Sequence, residues 1–259
     1  TKMAITKVTS SVLDVDIPAF KTFGTSSIMI GDTTTGTIDA ANYNTGVGVD
    51  VFEALTTGDS NSAFGTFALS SNTTGSKNTA LGYGTLNSNS TGYNNVAIGY
   101  GTLLLNTTGV QNTGVGKDSL SANTTGHTNT AVGYNALTAN TTGAINTAIG
   151  NEALDTNTTG NYNTALGYAA LYANTTAADN VAVGASALTM NTTGAQNTGL
   201  GRYALETNST GSFNTAVGFQ ALESNTTASN NIAVGSYALF ENTTGTHNVA
   251  LGRSAGTTQ

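Results

Sequence analysis

NTTGHTNTAVGYNAL, residues 123 to 137, holds two kinds of residue that seldom share so short a stretch. Asn, Thr and Gly favour loops, yet Ala131, Val132, Ala136 and Leu137 are apolar, as if part of the loop were buried. Stepping by 17 from Gly133 resolves the conflict. Thirteen glycines, Gly48 to Gly252, fall on one register without a slip. Asn stands four places before every one of them, from Asn44 through Asn129 to Asn248. The residue just before each is Val, Leu, Ile or Phe, and the one before that is Ala or Gly. Four places after comes Leu in eleven units, Leu69 to Leu239, with Phe52 in the first. Nine places after comes Thr in all twelve complete units, Thr57 to Thr244. A period of this length marks a repeat architecture, in which each unit completes its core against its neighbours.

Within the unit, N-T-A-V-G predicts a strand, because β-branched residues dominate and the segment is too short for a helix. The Ala136–Leu137 pair predicts a second short strand or a turn-like edge. N-T-T-G predicts the corner: Gly tolerates positive φ, and Asn and Thr side chains bond to nearby backbone, although Ala177 and Ala228 replace the corner Gly. Seventeen residues so arranged make one coil of an all-β, parallel β-solenoid. Stacked coils place equivalent residues about 4.8 Å apart, so twelve steps span about 58 Å. Asn129 then lies between Asn112 and Asn146, and Thr125 between Thr108 and Thr142, as side-chain ladders.

Two regions are expected. Residues 1–26 contain Lys2, Lys7, Lys21 and the only proline, Pro18, and form an N-terminal joining segment. Residues 27–259 form the solenoid, with 27–43 a degenerate first coil, since Gly31 lies 17 before Gly48. Ala255 occupies the small position of the last unit, with no cap after it, so a further domain or a processed end is expected beyond Gln259.

Composition narrows the function classes. Only 8% of residues are charged, and 32 glycines follow no G-X-Y period, which excludes collagen. The chain has no cysteine, and with seven Lys and Arg and a net charge of -7 it lacks the electrostatic footprint of a nucleic-acid binder. No apolar run approaches the roughly 18 residues of a membrane span, so no membrane insertion is expected. Asp118, Glu152, Asp155, Glu206 and Glu223 sit at variable positions and form no recurring catalytic pair, so no enzyme is expected. Neither a metal nor a cofactor is expected: His127 and His247 lie in distant units, and the G-G-x-G-x-D unit of calcium-binding solenoids is missing. The N-[TS]-T triplets from Asn72 to Asn242 match the glycosylation sequon, but the corner itself demands the same spelling.

Each coil offers about two bulky apolar side chains, worth roughly 1.5 to 3 kcal/mol each when buried. Fixing the coil's backbone costs roughly 1 to 2 kcal/mol per residue. Both faces of the strand are apolar, with Val132 on one side and Ala131 on the other, whereas a thin coil needs one inner face. An oligomer is therefore expected, and three chains around one axis close a fibre.

Eight units place an aromatic in the two positions after the Gly: Phe67, Tyr83, Tyr100, Tyr134, Tyr168, Tyr203, Phe219 and Tyr237. They are expected along one edge, either as cover for the coil and the subunit seam or as a stacking surface for host polysaccharide.

The N-[TS]-[AV]-[VI]-G unit resembles the SVAIG-type repeats in the heads of YadA-type trimeric autotransporter adhesins. With N-T-T-G added, it resembles still more the repeats of bacteriophage tail fibres, often upstream of a self-cleaving intramolecular chaperone. The resemblance covers about residues 27 to 256. It implies a left-handed β-roll assembled as a homotrimer, located in the virion as a tail fibre that reaches the host surface, its N-terminal segment joined to other tail or fibre components. A bacterial adhesin head on the cell surface is the alternative. A third reading is an ice-binding solenoid with Thr columns. The Thr124–Thr125 pair is adjacent rather than alternating, so both side chains are not expected to face outward.

Overall fold

The computed structural model describes residues 20–23, 27–30 and 40–257; most of the joining segment, part of the first coil and the last two residues lie outside it. Among the described residues there is one sheet of 15 strands in sequence order, and no helix. Strand β1 (Phe20–Phe23) pairs antiparallel with β2 (Ser27–Ile30) across the expected boundary at residue 26. From β2 onward every pairing is parallel, through β3 (Thr45–Val47) to β15 (Val249–Leu251). The register is the 17-residue period itself: in β8 (Thr130–Val132) and β9 (Thr147–Ile149), Thr130 faces Thr147 and Ala131 faces Ala148. Ile28 faces Thr45, so residues 27–30 stack in parallel on the strand that begins at Thr45.

From β3 to β15 each strand is three residues long and alternates faces. Ala131 points inward and is fully buried, whereas Thr130 and Val132 point outward and remain half-exposed. The Ala136–Leu137 segment is a turn-like edge rather than a second strand, and it drives Leu137 into the core. Of the two bulky apolar side chains in a typical coil, a single chain therefore buries only the Leu.

Polar side chains fill the rest of the interior. Asn129 Nδ2 donates to the Gly143 carbonyl at 2.8 Å, while its Oδ1 accepts from the Asn146 backbone N–H at 3.0 Å and from Asn146 Nδ2 at 3.2 Å. A second Asn file runs beside the first: Asn140 Nδ2 donates to Asn123 Oδ1 at 2.8 Å and to the same Gly143 carbonyl at 3.0 Å. Each corner carbonyl from Gly75 to Gly245 thus joins two Asn columns, and among the described residues no buried side-chain N or O lacks a partner. A core of mixed Asn and Leu is tolerable only because that satisfaction is complete.

Two local expectations are corrected. The hydroxyl ladder belongs to Thr124, whose Oγ1 donates to the Thr141 carbonyl at 3.0 Å, while Thr125 is exposed. Thr124 lies half-buried against the corner, so its hydroxyl meets a carbonyl of the next coil before that of Thr125 can. The positive φ falls not at the corner Gly143 but at Gly133, where φ is +143 and an added Cβ would stand 2.3 Å from the Gly150 carbonyl oxygen. At the corner, Asn163 and Asn174 still donate to the carbonyl of Ala177, at 2.8 and 3.1 Å, so a methyl there leaves the bonding intact.

The coil also holds non-glycine residues in the left-handed region, at Thr128 (φ 58), Asn135 (φ 53) and Leu137 (φ 56), with equivalents along the rod. Each costs on the order of 1 kcal/mol, most for a β-branched residue. Ile145 is such a residue, at φ 59 and half-exposed, whereas Asn94 and Asn230 fill the same place in other coils at φ 55 and 61. Ile145→Asn is expected to stabilise the rod by about 1 kcal/mol, read as a rise in melting temperature of about 2–4 °C.

Candidate functional site

The strands leave an unpartnered outer face. Alternation puts residues one and three places before the framework Gly on that face, giving a file of Val, Leu, Ile and Phe from Val47 to Leu251 beside a file mostly of Thr. Several members stand open to solvent, among them Phe64 (41% exposed), Leu81 (48%), Leu166 (44%) and Leu200 (45%). A continuous apolar surface of this length is unusual on a lone soluble chain.

The eight aromatics occupy two adjacent files. Tyr83, Tyr100, Tyr134, Tyr168 and Phe219 directly follow their Gly; Phe67, Tyr203 and Tyr237 come one place later, at φ of 61 to 62. They gather into two runs rather than one stripe. In the first, Phe67 meets Tyr83 edge-on with centroids 5.7 Å apart, and Tyr83 stacks on Tyr100 at 5.2 Å and 8°. Lys117 continues this run, with Nζ 6.0 Å from the Tyr100 centroid and 5.1 Å from that of Tyr134. In the second, Tyr203, Phe219, Tyr237 and Phe240 follow one another at 6.2, 5.4 and 5.7 Å, and the Arg202 guanidinium lies 4.4 Å from the Tyr203 centroid. Tyr168 belongs to neither, since Asn151 and Ala185 hold its place in the adjoining coils. Such ring and cation contacts contribute roughly 0.5 to 1.5 kcal/mol each beyond the area they cover.

Lys117 and Phe240 escaped a search for aromatics directly after Gly. Lys117 is findable by reading its column, which also holds Tyr100 and Tyr134; Phe240 comes from a different column, five places after Gly235.

Charges are few. Among the described residues the one ion pair is Lys117 Nζ to Asp118 Oδ2 at 2.7 Å, and hydrogen bonding to Asp118 raises the Lys117 pKa above its ordinary value. Burial, with help from the Glu152 charge, raises the Asp155 carboxyl against the lowering effect of its Thr138 hydrogen bond. Burial likewise raises Glu206, reinforced by Glu223 in the next coil and opposed by Arg202. Among the described residues no group of three His, Cys, Asp or Glu is placed to hold a metal ion. The sequon asparagines from Asn72 to Asn225 are fully buried, with Nδ2 committed to the ladder, so the folded rod offers none of them for glycosylation.

Comparison with protein-family models, with curated proteins and with solved structures finds no match to this chain.

Proposed function

We propose that the chain is a structural attachment protein, a segment of a phage tail fibre that extends toward the host surface. The observation that carries the reading is the outer strand face: a rod of equal coils with an apolar file along its whole length is half of an assembly. Covering the file from Val47 to Leu251 with sister chains removes it from water and completes the strand's second face. Three chains around the fibre axis are favoured, in keeping with the repeats' resemblance to tail fibres and adhesin heads. The N-terminal segment joins this shaft to other tail or fibre components, and the external partner is host surface polysaccharide. The bacterial adhesin head shares this architecture and differs in where the fibre is anchored. Ice binding has less support, because each Thr124-type hydroxyl is spent on a carbonyl and the Thr file of the outer strand face lies beside a file of Val, Leu, Ile and Phe rather than a second Thr file.

Fluorescently labelled protein incubated with a panel of bacterial strains tests the attachment role. Saturable surface labelling of a subset of strains is expected. Absence of labelling on every strain, from protein that forms rods about 58 Å long by electron microscopy, leaves a spacer without an adhesive role.

A further inference from the structure

Where a period is this strict, a local departure from it is the feature to question. Two places after the framework Gly, most coils carry a side chain at positive φ, including Asp50 (φ 54), Phe67 (φ 61), Asp118 (φ 56) and Asn135 (φ 53). Two consecutive coils have Gly84 and Gly101 there instead, with the same backbone at φ 65 and 63. At Gly84 the missing side chain opens the aromatic edge, whereas at Gly101 the Asp118 carboxylate of the next coil reaches into the space, its Oδ1 2.5 Å from where a Cβ would stand. A shallow notch of about 430 Å³ results, lined by Phe67, Tyr83, Gly84, Asn87 and Leu104. Its walls are hydrocarbon from Phe67, Tyr83 and Leu104. Its one polar side chain is Asn87. Asn87 Nδ2 donates to the Phe67 carbonyl at 3.3 Å, which leaves its Oδ1 as an acceptor.

We propose that this notch binds a neutral hexose ring of a surface glycan, an assignment that rests on the attachment reading and names its ligand class. A pyranose presents C–H groups on one side and hydroxyl donors around its rim, which matches hydrocarbon walls with the amide oxygen of Asn87 as acceptor. A lining without Lys or Arg and the net charge of -7 disfavour uronic and sialic acids. The rest of the first aromatic run suits the role less well, because Tyr83 and Tyr100 cover each other's faces and Lys117 bridges Tyr100 and Tyr134.

The test variant is Gly84→Asn. Asn already occupies this place at Asn135 with a similar φ, and a Cβ on Gly84 meets only Leu104 Cδ1, at 3.4 Å, so the fold is kept while the notch is filled. The purified native chain is applied to an array of linear gluco-, galacto- and manno-oligosaccharides alongside uronic-acid oligomers, and the best binder is titrated by calorimetry. Binding to a neutral oligosaccharide, weakened at least tenfold by Gly84→Asn and unchanged by Tyr168→Ser at equal melting temperatures, is the expected result. Absence of binding to every neutral oligosaccharide, binding that survives Gly84→Asn, or preference for the uronic acids overturns the assignment. Strain labelling that Gly84→Asn leaves intact also overturns the notch while leaving attachment standing; absence of labelling by the native chain removes attachment itself.

Discussion

Asn129→Asp is expected to be among the most damaging single substitutions in the rod, and its damage is expected to depend on pH. Asn129 is fully buried and acts at once as donor and acceptor. A carboxylate in its place keeps the bonds from Asn146 but sets an anion against the Gly143 carbonyl oxygen, where the amide now donates at 2.8 Å. Losing that donor and burying an unpaired charge costs several kcal/mol. Burial raises the introduced carboxyl's folded-state pKa above its unfolded value. The penalty is therefore full at neutral pH and is relieved as pH falls through the raised folded pKa and then the unfolded value, because a protonated carboxyl again donates to Gly143. Thermal melts of the variant, compared with the native rod at each pH, should show the deficit shrinking between pH 7 and pH 3. Asn129→Leu leaves the Gly143 carbonyl short of one donor and the Asn146 N–H without its acceptor, and its deficit should not change with pH. Equal behaviour of the two variants at all pH values would mean that the Asn file does not carry the core.

Val115→Lys, Ile149→Lys and Val183→Lys combined should convert the proposed trimer to single chains. These positions lie on the outer face in alternate coils, spaced about one Debye length apart, so the introduced charges barely repel within one chain. Around a shared axis the same charges meet their copies. At roughly 5 to 6 Å and an effective dielectric near 20, each pair costs about 3 kcal/mol. The expected readout is a threefold fall in solution mass with the β-sheet circular dichroism retained. An unchanged mass would show that the apolar file is not the contact between chains.

The architecture was legible because a period of 17 turns every local preference into a column. Asn129, ambiguous by itself, became structural once Asn112 and Asn146 were known to stand above and below it. That Ala131 and Val132 face opposite sides followed from strand alternation alone, whereas which of them points inward did not. The turn geometry was less legible. Leu at φ 56, as in Leu137, has no signature in residue type, because the stacked coils impose the conformation and recover its cost through burial and ladder bonds. Thr124 and Thr125 are chemically identical neighbours, and only the corner geometry decides which hydroxyl meets a carbonyl. At the candidate site the aromatic files were visible, but their division into two runs was not. Neither was the notch at Gly84, because an absent side chain stands out only when its column is read coil by coil.

The account stands most directly on the solution mass of the intact chain, measured by light scattering at micromolar concentration. One chain weighs 26.0 kDa, so three copies joined along the Val–Leu–Ile–Phe file weigh three times 26.0, or about 78 kDa, and that is the expected value. A mass near 52 kDa would keep the face as an interface but replace threefold by twofold closure; a stable species at 26.0 kDa would contradict the account, because the exposed file would then have no partner among its own copies.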